Sequence, residues 1–186
     1  MGGFPPERPL LVFVTGPPGA GKTTLVRALA PRLGLLPIAK DDIKESLSDS
    51  LGETGLRWSK KLGAATWDVL WLLIERCAAA NASAIFESNF YPKVHRERLL
   101  ELRRKHPFLA FELHCTADEA VRRKRHTERE RHPVHHIFRP TTAMGPNSAL
   151  ELDEHVLRLD TTDGQPFDLD RIVRRITEVR GAGAHG

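Results

Sequence analysis

The stretch that decides the fold runs from Leu10 to Thr23 and reads LLVFVT followed by GPPGAGKT. The first six residues are apolar, β-branched or aromatic and follow a proline, which indicates a buried parallel strand. Residues 16–23 match the pattern G-x-x-x-x-G-K-[ST] at every fixed position. Glycines let successive main-chain N–H groups point inward, where they bind phosphate together with the positive end of the following helix. The sequence therefore predicts a loop that binds a nucleoside triphosphate.

The side chains of this loop have separate expected roles. Lys22 is expected to bridge the β- and γ-phosphate oxygens. Thr23 is expected to offer its hydroxyl to Mg²⁺, which prefers oxygen ligands. The predicted cofactors are therefore a nucleoside triphosphate, which we take to be ATP, and Mg²⁺; the loop itself leaves the choice between ATP and GTP open. The predicted nucleotide-binding residues of the loop are Gly16, Pro17, Pro18, Gly19, Ala20, Gly21, Lys22, Thr23 and Thr24.

Further strand-like runs follow the loop, each separated from the next by a stretch with helical spacing of apolar residues. These runs are residues 37–39, 84–86, 108–115 and 155–160. Strands that alternate with helices imply βαβ units and a parallel sheet. We predict an α/β fold of the P-loop NTPase class, a three-layer sandwich in which helices cover both faces of a five-stranded parallel sheet. Trp58, Trp67 and Trp71 fall in one long helical stretch, and we interpret them as packing residues.

The length of 186 residues and the hydrophobic content of 40% fit one domain with one core. We predict a flexible segment at residues 1–9, a single domain at 10–180 and a disordered tail at 181–186. Cys77 and Cys115 lie in apolar runs, so we expect free thiols. No long apolar run follows a basic flank, and the apolar stretches are interrupted by charge or glycine. We therefore expect a cytoplasmic protein without a membrane segment.

Acidic and amide side chains follow the second and third predicted strands. Asp41 and Asp42 come after the second strand, and Glu87 and Asn89 follow the third. Because the carboxyl ends of parallel strands meet at one edge of a sheet, we expect these groups beside the phosphate loop. A carboxylate there suits phosphoryl transfer, in which the acceptor hydroxyl loses a proton. The alternative is that Asp41 and Asp42 only cap a helix and that Glu87 is a solvated strand-end residue.

The formal net charge of +4 is unevenly distributed, because basic residues cluster between residues 122 and 139. The cluster consists of Arg122, Arg123, Lys124, Arg125, Arg129, Arg131 and Arg139. Such a run is often a solvated helix face. In a nucleotide-binding fold, arginines can instead close over the phosphates and stabilise the charge of the transition state.

Taken in order along the chain, these motifs resemble a family of small P-loop kinases. The family includes phage-type polynucleotide kinase, chloramphenicol phosphotransferase and zeta-toxin-like kinases, and it extends to AAA-type predicted kinases. Its members carry an Asp-x-hydrophobic-Arg motif after strand two, which Asp41-Asp-Ile-Lys44 resembles with lysine in place of arginine. The resemblance extends from Leu10 to about Val179. It implies a kinase that uses ATP to phosphorylate a hydroxyl group.

The resemblance also implies roles for individual residues. Asp41 is the implied general base, and Glu87 the residue that orients Mg²⁺ through water. The implied substrate-binding residues are Asp41, Lys44, Glu87 and Asn89, and the implied metal-binding residues are Thr23 and Glu87. The implied catalytic residues are Lys22, Asp41, Arg125 and Arg129.

Residues 122–140 resemble the mobile lid of these kinases. The resemblance implies that Arg125 and Arg129 contact the phosphates and that Arg122 lies near the nucleotide base. Residues 161–164 follow the fifth strand, where the loop beside the adenine usually lies in such folds.

Three functions fit these features, and the acceptor distinguishes them. The first is phosphorylation of a small molecule such as a nucleoside, a sugar-like compound or an antibiotic. The second is phosphorylation of a polynucleotide 5′-hydroxyl, which would suit the basic charge. The third is an ATP-dependent regulatory switch without an acceptor. The basic residues lie mostly in the predicted lid, where the donor phosphates account for them, so we favour a small-molecule acceptor over nucleic acid.

Overall fold

The computed structural model describes residues 8–52, 55–128, 132–135, 148–153 and 155–183. The helices and strands alternate along the chain as the sequence predicts. The elements are β1 (Leu10–Thr15), α1 (Lys22–Leu33), β2 (Leu36–Ala39), α2 (Lys40–Leu51), α3 (Leu56–Ala79), β3 (Ala84–Glu87), α4 (Pro92–Lys105), β4 (Leu109–Thr116), α5 (Glu119–Glu128), β5 (Val156–Asp160) and α6 (Leu169–Gly183).

The five strands form one parallel sheet in the order β2-β3-β1-β4-β5. Strand β1 lies at the centre, with Val12 paired to Ile85 of β3 on one side and to Phe111 of β4 on the other. This topology confirms the predicted P-loop NTPase class. Because all strands point the same way, the phosphate loop, the start of α2 and the residues after β3, β4 and β5 lie at one edge of the sheet.

Side chains of β1 alternate between two apolar cores, one on each face of the sheet. Val12 and Val14 pack in a core that contains buried residues of α1 and α6. Leu11 and Phe13 pack in a second core with residues of α3 and α4. Strand β1 is buried along its whole length because helices cover both of its faces. The two cores explain why the molecule has three layers.

Glycine ends helix α2, and one predicted boundary differs from the structure. Helix α2 continues to Leu51, where Gly52 provides the left-handed turn that ends it. Serine and aspartate at positions 48–50 have weak helix propensity but belong to this helix. Helix α6 reaches Gly183, so it extends into the segment predicted as a tail. Both cysteines are free thiols, as expected. No helix among the described residues is both long and apolar enough to cross a membrane.

We expect Phe13→Ala to lower the free energy of unfolding by about 3–5 kcal/mol, because it empties space at the centre of the second core. Phe13 is fully buried and its ring lies 5.7 Å from Phe90 and 6.0 Å from Phe86, measured between centroids. Chemical denaturation followed by circular dichroism measures the change. The control is Leu72→Ala at a side chain that is 51% exposed, for which we expect less than about 0.5 kcal/mol. Equal losses would contradict the placement of Phe13.

Candidate functional site

The phosphate loop has a backbone that only glycine accommodates at two of its positions. Gly16 has φ of 126°, and a Cβ there would lie 2.0 Å from the carbonyl oxygen of Cys115 at the end of β4. Gly19 has φ of 79°, and a Cβ there would lie 2.8 Å from the carbonyl oxygen of Arg122 in α5. The loop is therefore packed directly against main chain of β4 and α5, which fixes where its N–H groups point.

Lys22 is buried at the end of this loop, and its ammonium group is held by oxygen atoms. Its Nζ donates to the carbonyl oxygens of Gly16 at 2.9 Å and Pro17 at 3.0 Å, and to Oδ1 of Asn89 at 2.6 Å. Burial lowers the pKa of Lys22, while the nearby Glu87 carboxylate acts in the opposite direction. The contact with Asn89 joins the loop to the end of β3, as the strand order predicts.

Thr23 and Glu87 form a pair of oxygen donors beside Lys22. The Thr23 hydroxyl donates to Oε1 of Glu87 at 2.7 Å, and Glu87 is only 7% exposed. Burial raises the pKa of Glu87, and the hydrogen bond from Thr23 opposes that shift. A cation beside this carboxylate would offset its loss of hydration. The buried oxygen pair therefore has the chemistry of a magnesium site.

The donor set also fits the way in which Mg²⁺ is usually bound. This ion keeps several waters and takes only one or two protein oxygens when it binds with nucleotide phosphates. Within the described ranges, no group of three or more histidine, cysteine, aspartate or glutamate residues could hold a metal ion. Thr23 and Glu87 fit the predicted role of holding Mg²⁺ together with a bound nucleotide, and this role stays a prediction.

A cavity of about 560 Å³ opens beside the phosphate loop and extends towards α3. One end contains the predicted residues Lys22, Thr23, Asp41, Glu87 and Asn89. Asp41 lies at the start of α2, directly after β2, and contributes to the cavity lining. The structure therefore brings together the proposed base, the loop and the residues after β3.

The rest of the lining includes residues to which the sequence analysis gave no role in binding or catalysis. They include Lys40, Leu56, Ser59, Lys60, Gly63, Ala64, Trp67, Tyr91, His126 and His135. Six of them lie on α3 at positions 56, 59, 60, 63, 64 and 67, which is the spacing of one helix face. This spacing in the sequence could have indicated a cavity-lining face of α3. The sequence analysis missed that face because it mixes apolar, small and charged residues.

Trp67 has two roles, since it packs against aromatic neighbours as predicted and also lines the cavity. Its ring lies 4.2 Å from that of His95 and 5.5 Å from that of Phe90, between centroids. Burial lowers the pKa of His95 to about 4. Nδ1 of His95 accepts a hydrogen bond from the main-chain N–H of Tyr91 at 2.8 Å. The neutral His95 thus connects the start of α4 to the Trp67 ring.

Lys44 lies at the cavity wall, where its ammonium group is anchored to neighbouring elements. It donates to Oγ of Ser59 at 2.9 Å and to the carbonyl oxygen of Val134 at 3.4 Å. Residues 132–135, which belong to the segment predicted as a lid, pack against α2 at this point. Val134 is buried, and Nε2 of His135 lies 2.9 Å from Oε1 of Glu45. Residues 132–135 are therefore held beside the cavity, while their role as part of a lid stays a prediction. Residues 129–131 and 136–147, including Arg129, lie outside the described residues.

A second cavity, of about 330 Å³, lies on the other side of the phosphate loop. It is lined by Pro17, Arg122, Asp160, Thr162 and residues 116–119. Arg122 is 6% exposed and its Nε donates to the carbonyl oxygen of Ala117 at 3.0 Å. In the described part of the chain, its Nη1 atom is buried without a hydrogen-bond partner. This arginine thus has an unused donor beside the loop.

Arg125 braces the phosphate loop against the segment after β5. Its Nη1 donates to Oγ1 of Thr161 at 2.9 Å and to the carbonyl oxygen of Gly19 at 3.3 Å, and its Nη2 donates to the carbonyl oxygen of Thr161 at 2.5 Å. These contacts hold the loop rather than facing the 560 Å³ cavity. A phosphate contact by Arg125 stays a prediction.

The parallel sheet and its phosphate loop define a P-loop nucleotide-binding fold of the α/β class. Residues 11–144 match the AAA_33 family, which is described as an AAA domain. The chain belongs to this family, and the match confirms the predicted relationship to AAA-type P-loop proteins. No curated protein matches the chain in sequence.

Solved structures resemble the chain over nearly its whole length. A Chloroflexus aurantiacus protein, provisionally described as a kinase, is 32% identical with a TM-score of 0.84, over 92% of this chain and 98% of that one. A sugar kinase from a Janibacter species is 21% identical with a TM-score of 0.57, over 96% and 98%. A gluconokinase from Sinorhizobium meliloti is 20% identical with a TM-score of 0.54, over 96% and 95%. The last two similarities show the fold alone.

We expect Lys22→Ala to abolish nucleotide binding, because it removes the charge that the loop holds beside the phosphate position. Isothermal titration calorimetry with Mg·ATP measures the loss. The control is Lys61→Ala on α3, whose ammonium lies over the Trp58 ring, 5.7 Å from its centroid, outside the cavity lining. Heat of binding that matches the parent protein would show that Lys22 does not contact the nucleotide.

We expect Glu87→Gln to weaken Mg²⁺ binding by about 10-fold or more in the presence of ADP, because an amide carries no charge to attract the ion. A magnesium titration of the ADP-loaded protein gives the affinity. Glu97→Gln serves as the control because the Glu97 side chain is 69% exposed on α4, remote from Thr23. A variant that binds Mg²⁺ as tightly as the parent protein would rule out Glu87 as a metal-site residue.

Proposed function

We propose that the chain is a P-loop kinase that transfers the γ-phosphate of ATP to a hydroxyl group of a small molecule. The observation that carries this proposal is the single cavity that joins the phosphate loop to Asp41 and Asn89. Its volume of about 560 Å³ lies within the range of pockets that take small molecules, about 300–1,000 Å³. The cavity thus has room for an acceptor next to the phosphate donor.

In the proposed reaction, the acceptor oxygen attacks the γ-phosphorus while the bond to the β-phosphate oxygen breaks. The hydroxyl proton passes to the Asp41 carboxylate, and ADP leaves with the electron pair of the broken bond. Lys22 and the loop N–H groups neutralise charge on the phosphate oxygens. A bound Mg²⁺, held by Thr23 and Glu87, would add positive charge at the same oxygens. Asn89 positions Lys22 and offers its amide to the acceptor.

In this proposal the nucleotide base binds in the second cavity, beside Arg122 and Thr162. The buried and unpaired Nη1 of Arg122 supports this placement, because a ligand acceptor would satisfy it. In this proposal Arg125 acts by positioning the phosphate loop, while Arg129 supplies positive charge at the phosphates. The names of the similar structures, which include a sugar kinase and a gluconokinase, support a small hydroxylated acceptor.

We expect Asp41→Asn to lower the rate of phosphoryl transfer by about 100-fold or more while leaving Mg·ATP binding intact, because an amide cannot accept the proton. The matched control is Asp42→Asn, since Asp42 is the adjacent exposed carboxylate of α2 and does not line the cavity. Acceptor-dependent ADP release measures transfer. If Asp41→Asn works at the parental rate, or if the two variants lose activity equally, the assignment of the base is wrong.

The class of acceptor is tested by ADP release with separate pools of metabolites and 5′-hydroxyl oligonucleotides. A rise with the metabolite pool supports the proposal. A rise with oligonucleotides alone, weakening steeply with salt, would instead identify a polynucleotide kinase. Mg·ATP binding without a rise in any pool would identify a regulatory switch.

A further inference from the structure

Three lysines outside the phosphate loop line the large cavity and give it positive charge. Lys40 and Lys44 contribute it from α2, and Lys60 contributes it from the facing side of α3. We propose that these three lysines bind a negatively charged group of the acceptor, a carboxylate or a phosphate. This inference rests on the proposed function, and it narrows the substrate to a small anionic molecule that also carries a hydroxyl group.

Lys40 and Lys44 from α2 and Lys60 from α3 line the same cavity. Lys44 reaches across to α3, where its Nζ donates to Oγ of Ser59. Lys60 belongs to the cavity-lining face of α3, where Gly63 and Ala64 leave room beside it. A Cβ built on Gly63 would lie 3.9 Å from Cε of Lys44, which is an ordinary van der Waals distance. The backbone of α3 therefore approaches the Lys44 side chain closely. We infer that a small anion bound in this part of the cavity can contact lysines of both helices.

Lys40 and Lys60 carry charge that the described part of the chain does not neutralise through an ion pair. The Lys40 ammonium lies over the Trp67 ring, 5.3 Å from the centroid. Burial lowers the pKa of Lys40, Asp41 opposes that shift, and Lys44 adds to it. Lys40 is partly buried beside a second cation, so a bound anion would stabilise its charge. Lys60 is exposed and free to move towards a ligand.

The acidic residues of the described lining are already used by the proposed reaction. They are Asp41 and Glu87, and the reaction uses both near the phosphates. An acceptor with its hydroxyl group at Asp41 would therefore direct its anionic end towards Lys40 and Lys60. Trp67 provides an apolar surface between them for the carbon skeleton. The arrangement disfavours a neutral acceptor, which would bring no negative charge to Lys40 and Lys60.

The test compares acceptors that share a skeleton and differ in charge. Alditols from glycerol to sorbitol are matched with their aldonic acids, such as glycerate and gluconate, and with their phosphates, such as glycerol 3-phosphate. We expect at least one acid or phosphate to give a kcat/KM about 10-fold or more above its neutral partner, since hydrogen bonds to charged groups have this size of effect. The acid and phosphate arms identify which anion the lysines bind.

Variants of α3 then test the lysine itself with the best anionic acceptor. We expect Lys60→Gln to raise KM about 10-fold or more with little change in kcat or in Mg·ATP affinity. Lys60→Arg keeps the charge and is expected to retain most of the affinity. Lys61→Gln, one residue along the same helix and outside the cavity lining, is expected to behave like the parent protein. Thermal melts confirm that each variant is folded.

Failure of the inference and failure of the proposed function give different results. Neutral alditols that are phosphorylated as well as or better than their acids and phosphates would overturn the inference and leave the kinase proposal standing. A Lys60→Gln variant with parental KM would have the same consequence. An oligonucleotide as the best acceptor would overturn both the inference and the proposed small-molecule acceptor. Mg·ATP binding without ADP release for any acceptor would overturn both.

Discussion

The close contact between the phosphate loop and the end of β4 is the constraint on which the rest of the site depends. Only a residue without a side chain fits at Gly16, next to the carbonyl oxygen of Cys115. This contact fixes the loop relative to the central pair of strands. Lys22 and Thr23 at the start of α1 then reach Asn89 and Glu87 at the end of β3. A small shift of the loop would separate both pairs.

Electrostatics divides the large cavity into two ends with different chemistry. Near the loop, the buried Lys22 and Glu87 influence each other's pKa in the direction that favours both charges. Near α3, lysines dominate and Trp67 offers an apolar wall. The first end suits a polyphosphate with a metal ion, and the second suits a smaller partner. Asp41 lines the same cavity, where the proposed reaction needs a proton acceptor.

The sheet and the donor end of the site were predictable because short patterns specify them. The run from Leu10 to Thr23 identifies strand and loop together, and parallel strands bring residues that follow β2 and β3 to the same edge. The face of α3 that lines the cavity was not predictable from apolar spacing, because it combines charged, small and aromatic residues such as Lys60, Gly63 and Trp67. The hydrogen bonds from Arg125 to Thr161 depend on tertiary packing, which no local pattern in residues 122–128 predicts.

The strand order has a consequence for how the chain acquires its structure. Strand β1 is made first, yet it lies between β3 and β4, which follow much later in the sequence. Its apolar residues therefore lack their permanent neighbours until most of the polypeptide has left the ribosome. Contacts between distant parts of a sequence slow folding, because a long loop must close before they form. The phosphate loop is thus fixed in place late in folding. Truncation before β4 would leave one edge of β1 unpaired, and such an exposed apolar strand is prone to aggregate.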